Sequence, residues 1–223
     1  MDLSTLTKKI DYTFLKPTAT RNEIKQFCQE AIQYRFNVVF INPYYLSFAK
    51  HQLADQPIKI GIPIGFSLGS ATTRTKVFET KEAVRSGASE IDMLINLGAM
   101  KSKLYDLVKQ DISEVIKAAE GALTKVIIET ALLTQEEKRV AAEIACEAGA
   151  DFVKTSTGFN GGGATVEDVK RLKQIVGPTI GVKAAGGIRT YNDAMKMIEA
   201  GADRLGTSGA ISIVTGKTST QSY

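Results

Sequence analysis

The sequence predicts an α/β fold: a single-domain (β/α)8 or TIM barrel with eight parallel strands. Three observations predict it. Short β-rich runs alternate with longer amphipathic stretches of helical period. Eight such runs recur about 28 residues apart, which suits one strand, one crossover helix and two short loops. A glycine that ends a helix just before a strand recurs three times, at Gly87, Gly149 and Gly201.

The strand candidates are rich in β-branched and aromatic residues, and they follow one another without a linker or a second domain. They are residues 10–13, 37–41, 58–64, 90–95, 125–129, 152–155, 181–184 and 204–207. We expect one barrel domain over residues 1–223, with a polar C-terminal tail at 216–223. An open doubly wound sheet is the alternative fold, but no G-x-G-x-x-G motif follows a strand.

Three helix starts carry recognisable signals. Asn22 and Glu23 open the first of these helices. Thr134 is an N-cap, and a glutamate three residues later, Glu137, completes a capping box. Thr165 is predicted to cap a third helix, with an aspartate standing where the glutamate of a capping box would be.

Composition and charge exclude several classes of protein. Hydrophobic residues make up 43% of the 223 residues and charged residues 23%, which is ordinary for a globular chain. The formal net charge of +4 is spread along the chain, and no basic run indicates a nucleic-acid partner. No apolar run approaches the roughly 18 residues that span a membrane, and no apolar signal core opens the chain. We therefore expect a cytoplasmic protein without membrane or nucleic-acid partners.

The chain has few side chains for metal or histidine chemistry. Its two cysteines, Cys28 and Cys146, fall in helix-like stretches and are predicted to be free, buried thiols. The single histidine, His51, is predicted to lie on the surface. One histidine and two scattered cysteines cannot build the usual zinc sites. The sequence therefore predicts no metal and no cofactor, and chemistry on lysine and carboxylate side chains.

Chemically capable side chains gather at the ends of the predicted strands, and a barrel of this type carries its function on that face. They are Asp11 and Thr13 on the first strand, Asp92 and Asn96 on the fourth, Glu129 on the fifth, Lys154 on the sixth and Lys183 on the seventh. Lysine is a poor strand residue and a costly interior one, so Lys154 and Lys183 on neighbouring strands are predicted to face one mouth. The alternative is that either lysine points outward and pairs with a helix.

Paired lysines have a chemical use. A nucleophilic lysine must be neutral, and a second ammonium with partial burial can lower its pKa from about 10.4 to about 7–8. The neutral amine then forms a Schiff base with a carbonyl, and the protonated imine serves as the electron sink. A carboxylate such as Asp92 would move protons at the adjacent carbon.

Glycine-rich turns suggest where an anionic group binds. Gly186 and Gly187 lead from the seventh strand into a helix, and Ser208 and Gly209 lead from the eighth into a short one. Backbone N–H groups at such positions bind phosphate, and the loops after strands 7 and 8 often do so in these barrels. The alternative is that these glycines only form turns.

Five segments resemble those of deoxyribose-phosphate aldolases, in order and over essentially the whole chain. The most specific is DFVKTSTGF at 151–159, and the others are GVKAAGGIRT at 181–190, EIDMLIN at 90–96, KVIIET at 125–130 and IDYT at 10–13. The sequence departs from the family pattern at Phe40, where many relatives have cysteine, and at Phe159, where some have lysine. Neither change removes a proposed catalytic group.

The resemblance implies a metal-independent class I aldolase of deoxyribose phosphate catabolism. Such an enzyme reversibly cleaves 2-deoxy-D-ribose 5-phosphate to acetaldehyde and D-glyceraldehyde 3-phosphate. It implies that Lys154 forms the imine, that Lys183 lowers the pKa of Lys154, and that Asp92 transfers protons with Lys183 and an ordered water. The final residue, Tyr223, matches a family tail whose tyrosine folds over the site and assists proton transfer. A disordered tail is the alternative.

The resemblance also implies substrate contacts and an assembly. Hydroxyls of the sugar would meet Asp11 and Thr13, and backbone groups would hold the phosphate at Gly187, Ile188, Ser208 and Gly209. Relatives form dimers or tetramers, so a homo-oligomer is expected. Two other functions stay open: a lysine-dependent lyase for a different sugar phosphate, and a catalytically silent barrel that only binds a phosphorylated metabolite.

Overall fold

A computed structural model describes residues 1–216 of the chain. Eight parallel strands close into a barrel in sequence order, and the eighth pairs with the first. The strands are β1 Ile10–Phe14, β2 Val38–Ile41, β3 Lys59–Ile64, β4 Glu90–Leu94, β5 Leu123–Ile127, β6 Phe152–Lys154, β7 Gly181–Ala185 and β8 Arg204–Thr207. The predicted (β/α)8 barrel is confirmed.

Helices cover the outside of the barrel. They are α1 Leu3–Lys9, α2 Arg21–Gln33, α3 Leu46–Gln52, α4 Thr73–Ser86, α5 Leu97–Lys101, α6 Tyr105–Ala118, α7 Gln135–Glu147, α8 Val166–Val176, α9 Tyr191–Glu199 and α10 Ala210–Thr215. Among these helices, none has the length and apolarity that a membrane crossing requires. The predicted tail at 216–223 lies, except for Gly216, outside the described residues.

Seven of the eight predicted strands match the observed limits to within one residue at each end. The exception is β5, which begins and ends two residues before the predicted 125–129. Glu129 takes a left-handed backbone conformation with φ of 57°. Because that conformation is uncommon for a residue with a side chain and incompatible with a strand, β5 ends before it.

Helix ends follow the predicted chemistry with two corrections. Thr134 and Glu137 form the predicted capping box on α7. The helix predicted to open at Asn22 and Glu23 begins one residue earlier, at Arg21, and its cap is Thr20, which forms a capping box with Glu23. Thr165 caps α8, but the Asp168 carboxylate pairs with Lys138 on α7 at 2.6 Å and does not return to the cap. The start of α8 therefore has the Thr165 hydroxyl as a side-chain acceptor for its N–H groups, and it lacks the second acceptor that a capping box supplies.

The glycines that end α4, α7 and α9 have the positive φ values that the helix-to-strand turn requires. Gly87, Gly149 and Gly201 have φ of 108°, 90° and 107°, and β4, β6 and β8 follow within three residues. Cys28 is buried on α2, whereas Cys146 on α7 is half-buried, and neither forms a disulfide. His51 is exposed on α3, as predicted.

Two layers of buried side chains hold the fold together. Apolar residues of the strands and helices fill the space between the barrel and the outer helices. Inside the barrel, where branched aliphatic residues usually dominate, the structure instead places a cluster of buried charges. That cluster positions the candidate site.

Candidate active site

Strand register brings the two predicted lysines together. Lys154 on β6 and Lys183 on β7 are direct neighbours in the parallel pairing of these strands. Both side chains are buried and point into the barrel, where they contact the carboxylate of Asp92 on β4. The alternative in which either lysine points outward to a helix is excluded.

One oxygen of Asp92 accepts from both lysines. Asp92 Oδ2 lies 2.8 Å from Lys154 Nζ and 2.7 Å from Lys183 Nζ. Burial by itself raises the pKa of this carboxyl, but the positive charges of Lys125, Lys154 and Lys183 lower it well below its usual range. Asp92 is therefore ionised at neutral pH and bridges the two amines.

Lys183 lies deeper than Lys154 and has an additional partner. Its Nζ is 2.6 Å from Asp11 Oδ2, and its side chain is 1% exposed, against 6% for Lys154. Burial lowers the pKa of Lys183 to about 8, with a further lowering from the charges of Lys154 and Lys125, although Asp11 and Asp92 oppose it. Lys154 is therefore the more accessible amine of the pair.

Three charged residues missing from the sequence-based predictions complete the cluster. Lys125 on β5 contacts Glu90 on β4 and lies 3.1 Å from Asp92 Oδ1. Arg204 on β8 donates to Asp11 at 2.7 Å and to Glu90 at 3.0 Å. A charged residue inside a predicted strand was the signal that singled out Lys154 and Lys183, and the same signal marks these three residues.

Within the described residues, the cluster combines four cationic side chains with three carboxylates. They are Lys125, Lys154, Lys183 and Arg204, and Asp11, Glu90 and Asp92. A buried cluster with an excess charge is costly, and loss of one proton from a lysine removes the excess. Attraction to Asp92, Asp11 and Glu90 overcomes the effect of burial and raises the pKa of Lys125. Lys183, whose pKa burial lowers to about 8, can give up that proton.

An aromatic ring forms part of the wall around the lysines. Phe40 on β2 is buried, and the centre of its ring lies 3.8 Å from Lys183 Nζ and 4.6 Å from Lys125 Nζ. Gly61 on β3 makes room for it, because a Cβ there would lie 2.2 Å from a ring carbon. The ring excludes water from the amines and favours a nearby positive charge.

The remaining predicted contacts surround the same end of the barrel. Thr13 is buried on β1, and its hydroxyl donates to the Asp11 carbonyl at 2.9 Å. Gly187 is exposed after β7 with nothing within 4 Å of where a Cβ would lie, and Ile188 is buried beside it. Ser208 and Gly209 follow β8.

Thr207 joins the two turns that were predicted to hold phosphate. Its hydroxyl donates to the Ile188 carbonyl at 2.6 Å and accepts from the Gly209 N–H at 2.9 Å. The Gly209 N–H is thus already a donor within the protein. The hydrogen bonds of Thr207 hold the turns after β7 and β8 side by side.

Two predictions concern parts of the site that the structure leaves open. Tyr223 lies outside the described residues. Within residues 1–216, no group of three or more histidine, cysteine, aspartate or glutamate side chains is placed to hold a metal ion.

The described chemistry consists of a pair of amines, a shared carboxylate and turns rich in backbone donors. This arrangement can form an imine on one amine while the other, held by the same carboxylate, exchanges protons nearby.

Comparisons with known proteins agree with this geometry. The profile of DeoC/LacD family aldolases matches residues 1–219. A deoxyribose-phosphate aldolase 2 from Oceanobacillus iheyensis is 58% identical over 223 residues, with 100% of both chains covered. A deoxyribose-phosphate aldolase from Halalkalibacterium halodurans is 53% identical, with 98% of both chains covered.

A solved structure shares the architecture. The tetrameric deoxyribose phosphate aldolase from Aeropyrum pernix superposes with a TM-score of 0.90 at 33% identity, covering 96% of this chain and 92% of that one. The sequence matches span the whole barrel, including the strands that carry the two lysines and Asp92. This chain therefore belongs to the DeoC/LacD family of aldolases.

Proposed function

We propose that this chain is a deoxyribose-phosphate aldolase. It reversibly cleaves 2-deoxy-D-ribose 5-phosphate to acetaldehyde and D-glyceraldehyde 3-phosphate. The observation that carries the proposal is the contact of Lys154 and Lys183 with one oxygen of Asp92 in the barrel mouth. The names of the full-length relatives give the substrate.

Lys154 is the nucleophile, because it is the more exposed amine of the pair. Its neutral amine adds to the C1 carbonyl of the open-chain sugar, and loss of water gives a protonated imine. The C2–C3 bond then breaks: its electrons pass to the imine, and the C3 hydroxyl loses its proton as the aldehyde forms. Protonation of the resulting enamine at C2 and hydrolysis release acetaldehyde and restore the lysine.

Asp92 and Lys183 handle the protons of these steps. Lys183, with its pKa lowered to about 8, can release and take up a proton near neutral pH. Asp92 stays ionised and holds both amines, so a proton moves between them over a short path. Tyr223 is proposed to assist from the C-terminal tail.

The sugar phosphate binds with its charged end away from the lysines. Backbone groups of Gly187, Ile188, Ser208 and Gly209 hold the phosphate, supported by the Thr207 bridge between the two turns. Thr13 is proposed to meet a hydroxyl of the sugar. The Asp11 carboxylate, which was expected to do the same, is fully buried against Lys183 and Arg204, and it supports the site from behind. Since the Gly209 N–H already donates to Thr207, binding of phosphate there requires it to share or exchange that bond.

Trapping of the imine tests the proposal. Intact mass is measured after incubation with acetaldehyde and borohydride, followed by peptide mapping. We expect a single adduct of about 28 Da on Lys154 and none in Lys154→Met. A folded wild-type protein without this adduct would contradict the proposal and favour the silent barrel. An adduct without turnover of deoxyribose 5-phosphate would favour a lyase for another sugar phosphate.

We further propose that the enzyme is a cytoplasmic homo-oligomer. A relative of this fold is tetrameric. Leu68 and Phe78 are 66% and 70% exposed and line one surface pocket. Tyr44 is 82% exposed and lines a second pocket that shares Glu79 and Glu82 with the first. A second copy of the chain would cover these apolar side chains. Two free cysteines suit a reducing compartment. Light scattering of the purified chain distinguishes a monomer from a dimer or tetramer.

A further inference from the structure

Glu129 is a buried carboxylate that the proposed mechanism does not use. It lies just beyond the end of β5 and is 1% exposed. Its backbone adopts a left-handed conformation with φ of 57°. A non-glycine residue in that conformation persists only when its surroundings hold it there, and such residues cluster at functional sites. The contacts of its side chain show what holds it.

The Glu129 carboxylate accepts hydrogen bonds from the segment that follows Lys154. The N–H of Thr157 donates to both of its oxygens, at 3.1 and 3.2 Å, and the Thr157 hydroxyl also donates to it. The Asn160 amide donates to Glu129 Oε2 at 2.9 Å. One carboxylate thus fixes two positions of the loop between β6 and α8.

Asn160 also links this loop to a second loop. Its Nδ2 also donates to the Ser67 carbonyl at 2.7 Å, in the loop between β3 and α4. On that loop the Gly65 N–H donates to the Glu79 carboxylate of α4 at 2.8 Å. Phe66 and Phe159 meet edge to face, with ring centres 5.1 Å apart. The two loops are therefore tied together across the barrel end.

The far end of the same loop reaches the turn after β7. The Ala164 N–H donates to the Gly186 carbonyl at 3.0 Å. A Cβ at Gly163 would lie 2.4 Å from that carbonyl oxygen, so the two backbones are in close contact. The loop that begins at Lys154 thus ends against the turn proposed to hold the phosphate.

We propose that Glu129 and Asn160 are positioning residues for the aldol reaction. They fix the loop between the imine-forming lysine and the phosphate turn, and so set the distance between the two ends of the bound sugar phosphate. Neither residue touches the reacting atoms. The proposal rests on the proposed function, because it needs a substrate that spans Lys154 and the turn at Gly186.

Substitution of Asn160 by aspartate tests the idea through charge. Asn160→Asp places a second carboxylate against Glu129, which is the titratable group that contacts the Asn160 amide, and against the Ser67 carbonyl. It removes a donor and adds repulsion, and that repulsion disappears when the new carboxyl is protonated. Asn160→Ala removes the donor without the charge. Asn22→Asp, on the exposed face of α2, is the matched control.

The readout is kcat/KM for deoxyribose 5-phosphate, relative to wild type at each pH. We expect Asn160→Asp to lose at least about tenfold at pH 8 and to recover towards the wild-type value as the pH falls to about 5.5. Asn160→Ala should lose less, by a pH-independent factor, and Asn22→Asp should match wild type. The double variant Glu129→Gln with Asn160→Asp should have a kcat/KM at least threefold higher than that of Asn160→Asp alone, since the second substitution removes the repulsion.

Two results would overturn the proposal. One is an active wild type with both Asn160 variants within twofold of it across the pH range. The other is an equal, pH-independent loss in Asn160→Asp and Asn160→Ala, as general loosening of the loop would give. Failure of the proposed function would be seen separately, as a wild-type protein without imine trapping or turnover.

Discussion

Lys154 and Lys183 contact the same oxygen of Asp92, but Lys154 is the more exposed of the two side chains. A nucleophile must reach its substrate, whereas a proton donor can act from a deeper position. The proposed division of roles therefore rests on burial, since both residues are lysines near the ends of neighbouring strands. Substitution of each lysine separates the two roles.

Lys154→Ala is expected to abolish turnover while the fold survives. The position lies at the end of β6 and not in the apolar layer, so the change removes the nucleophile without opening the core. We expect kcat below about a hundredth of the wild-type value, since the covalent step is lost. Circular dichroism checks the fold. A folded variant with more than that activity would exclude imine catalysis on Lys154.

Lys183→Leu is expected to lower activity and move the pH optimum upward. The ammonium of Lys183 shares the charge of Asp92 with Lys154, so its removal leaves that carboxylate to Lys154 alone and disfavours the neutral amine that the proposed reaction needs. The wild-type pH–rate profile should change slope near pH 8, where Lys183 loses its proton. Lys183→Arg keeps the charge and serves as the control. An unchanged profile in Lys183→Leu would contradict this role.

The pairing register of the strands brings together charged side chains that lie far apart in the sequence. Lys154, Lys183 and Arg204 are consecutive neighbours across β6, β7 and β8, and Asp92 faces Lys125 across β4 and β5. Because parallel strands place matched residues at one height, four cations and three carboxylates form one cluster. Each of these residues is a charged residue within a predicted strand, so the sequence indicates which residues are candidates. The pairing of the strands determines which of them contact one another.

The outer helices are joined by buried ion pairs of their own. Lys138 on α7 and Asp168 on α8 are 2.6 Å apart and nearly buried. Asp168→Leu leaves the ammonium without its partner, and we expect the free energy of unfolding to fall by about 3–5 kcal/mol. The double variant with Lys138→Met should recover much of that loss. Urea unfolding measures both, and equal losses in the single and double variants would contradict the argument.

The sequence predicts element types better than element limits. Seven strand predictions hold to within a residue, because β-branched runs bounded by glycine are a local signal. The shift of β5 was not predictable, since it depends on the left-handed backbone of Glu129, which contacts from Thr157 and Asn160 hold in place. Local patterns do not contain those contacts.

The buried charges couple the stability of the whole barrel to pH. Burial raises the pKa of Asp92 and Asp11, but the lysines, and for Asp11 also Arg204, outweigh it, so both pKa values are lowered. A carboxyl whose pKa is lower in the folded protein than in the unfolded chain stabilises the fold at pH values above the unfolded-state pKa. This stabilisation is lost as the pH falls towards the folded-state pKa. The free energy of unfolding should therefore fall steeply as the pH is lowered.

Unfolding in urea across pH measures this effect. We expect the free energy of unfolding to fall between about pH 4 and pH 2, with a shallower slope in Asp92→Asn, which cannot bind the proton. The same variant should be less stable than wild type at pH 7, because it leaves the amines of Lys154 and Lys183 without their shared charge. Parallel slopes in the two proteins would mean that other carboxyls control acid unfolding.

The barrel, the lysine pair and Asp92 could be predicted from the sequence alone, because strand period, helix caps and charged residues inside strands are local features of the chain. The folded structure was needed to show which lysine is more exposed, which side chains balance the charge, and how Thr207 and Glu129 fix the surrounding loops. These facts depend on burial and on contacts between residues far apart in sequence. Closure of the barrel creates both, and no window of the sequence contains them.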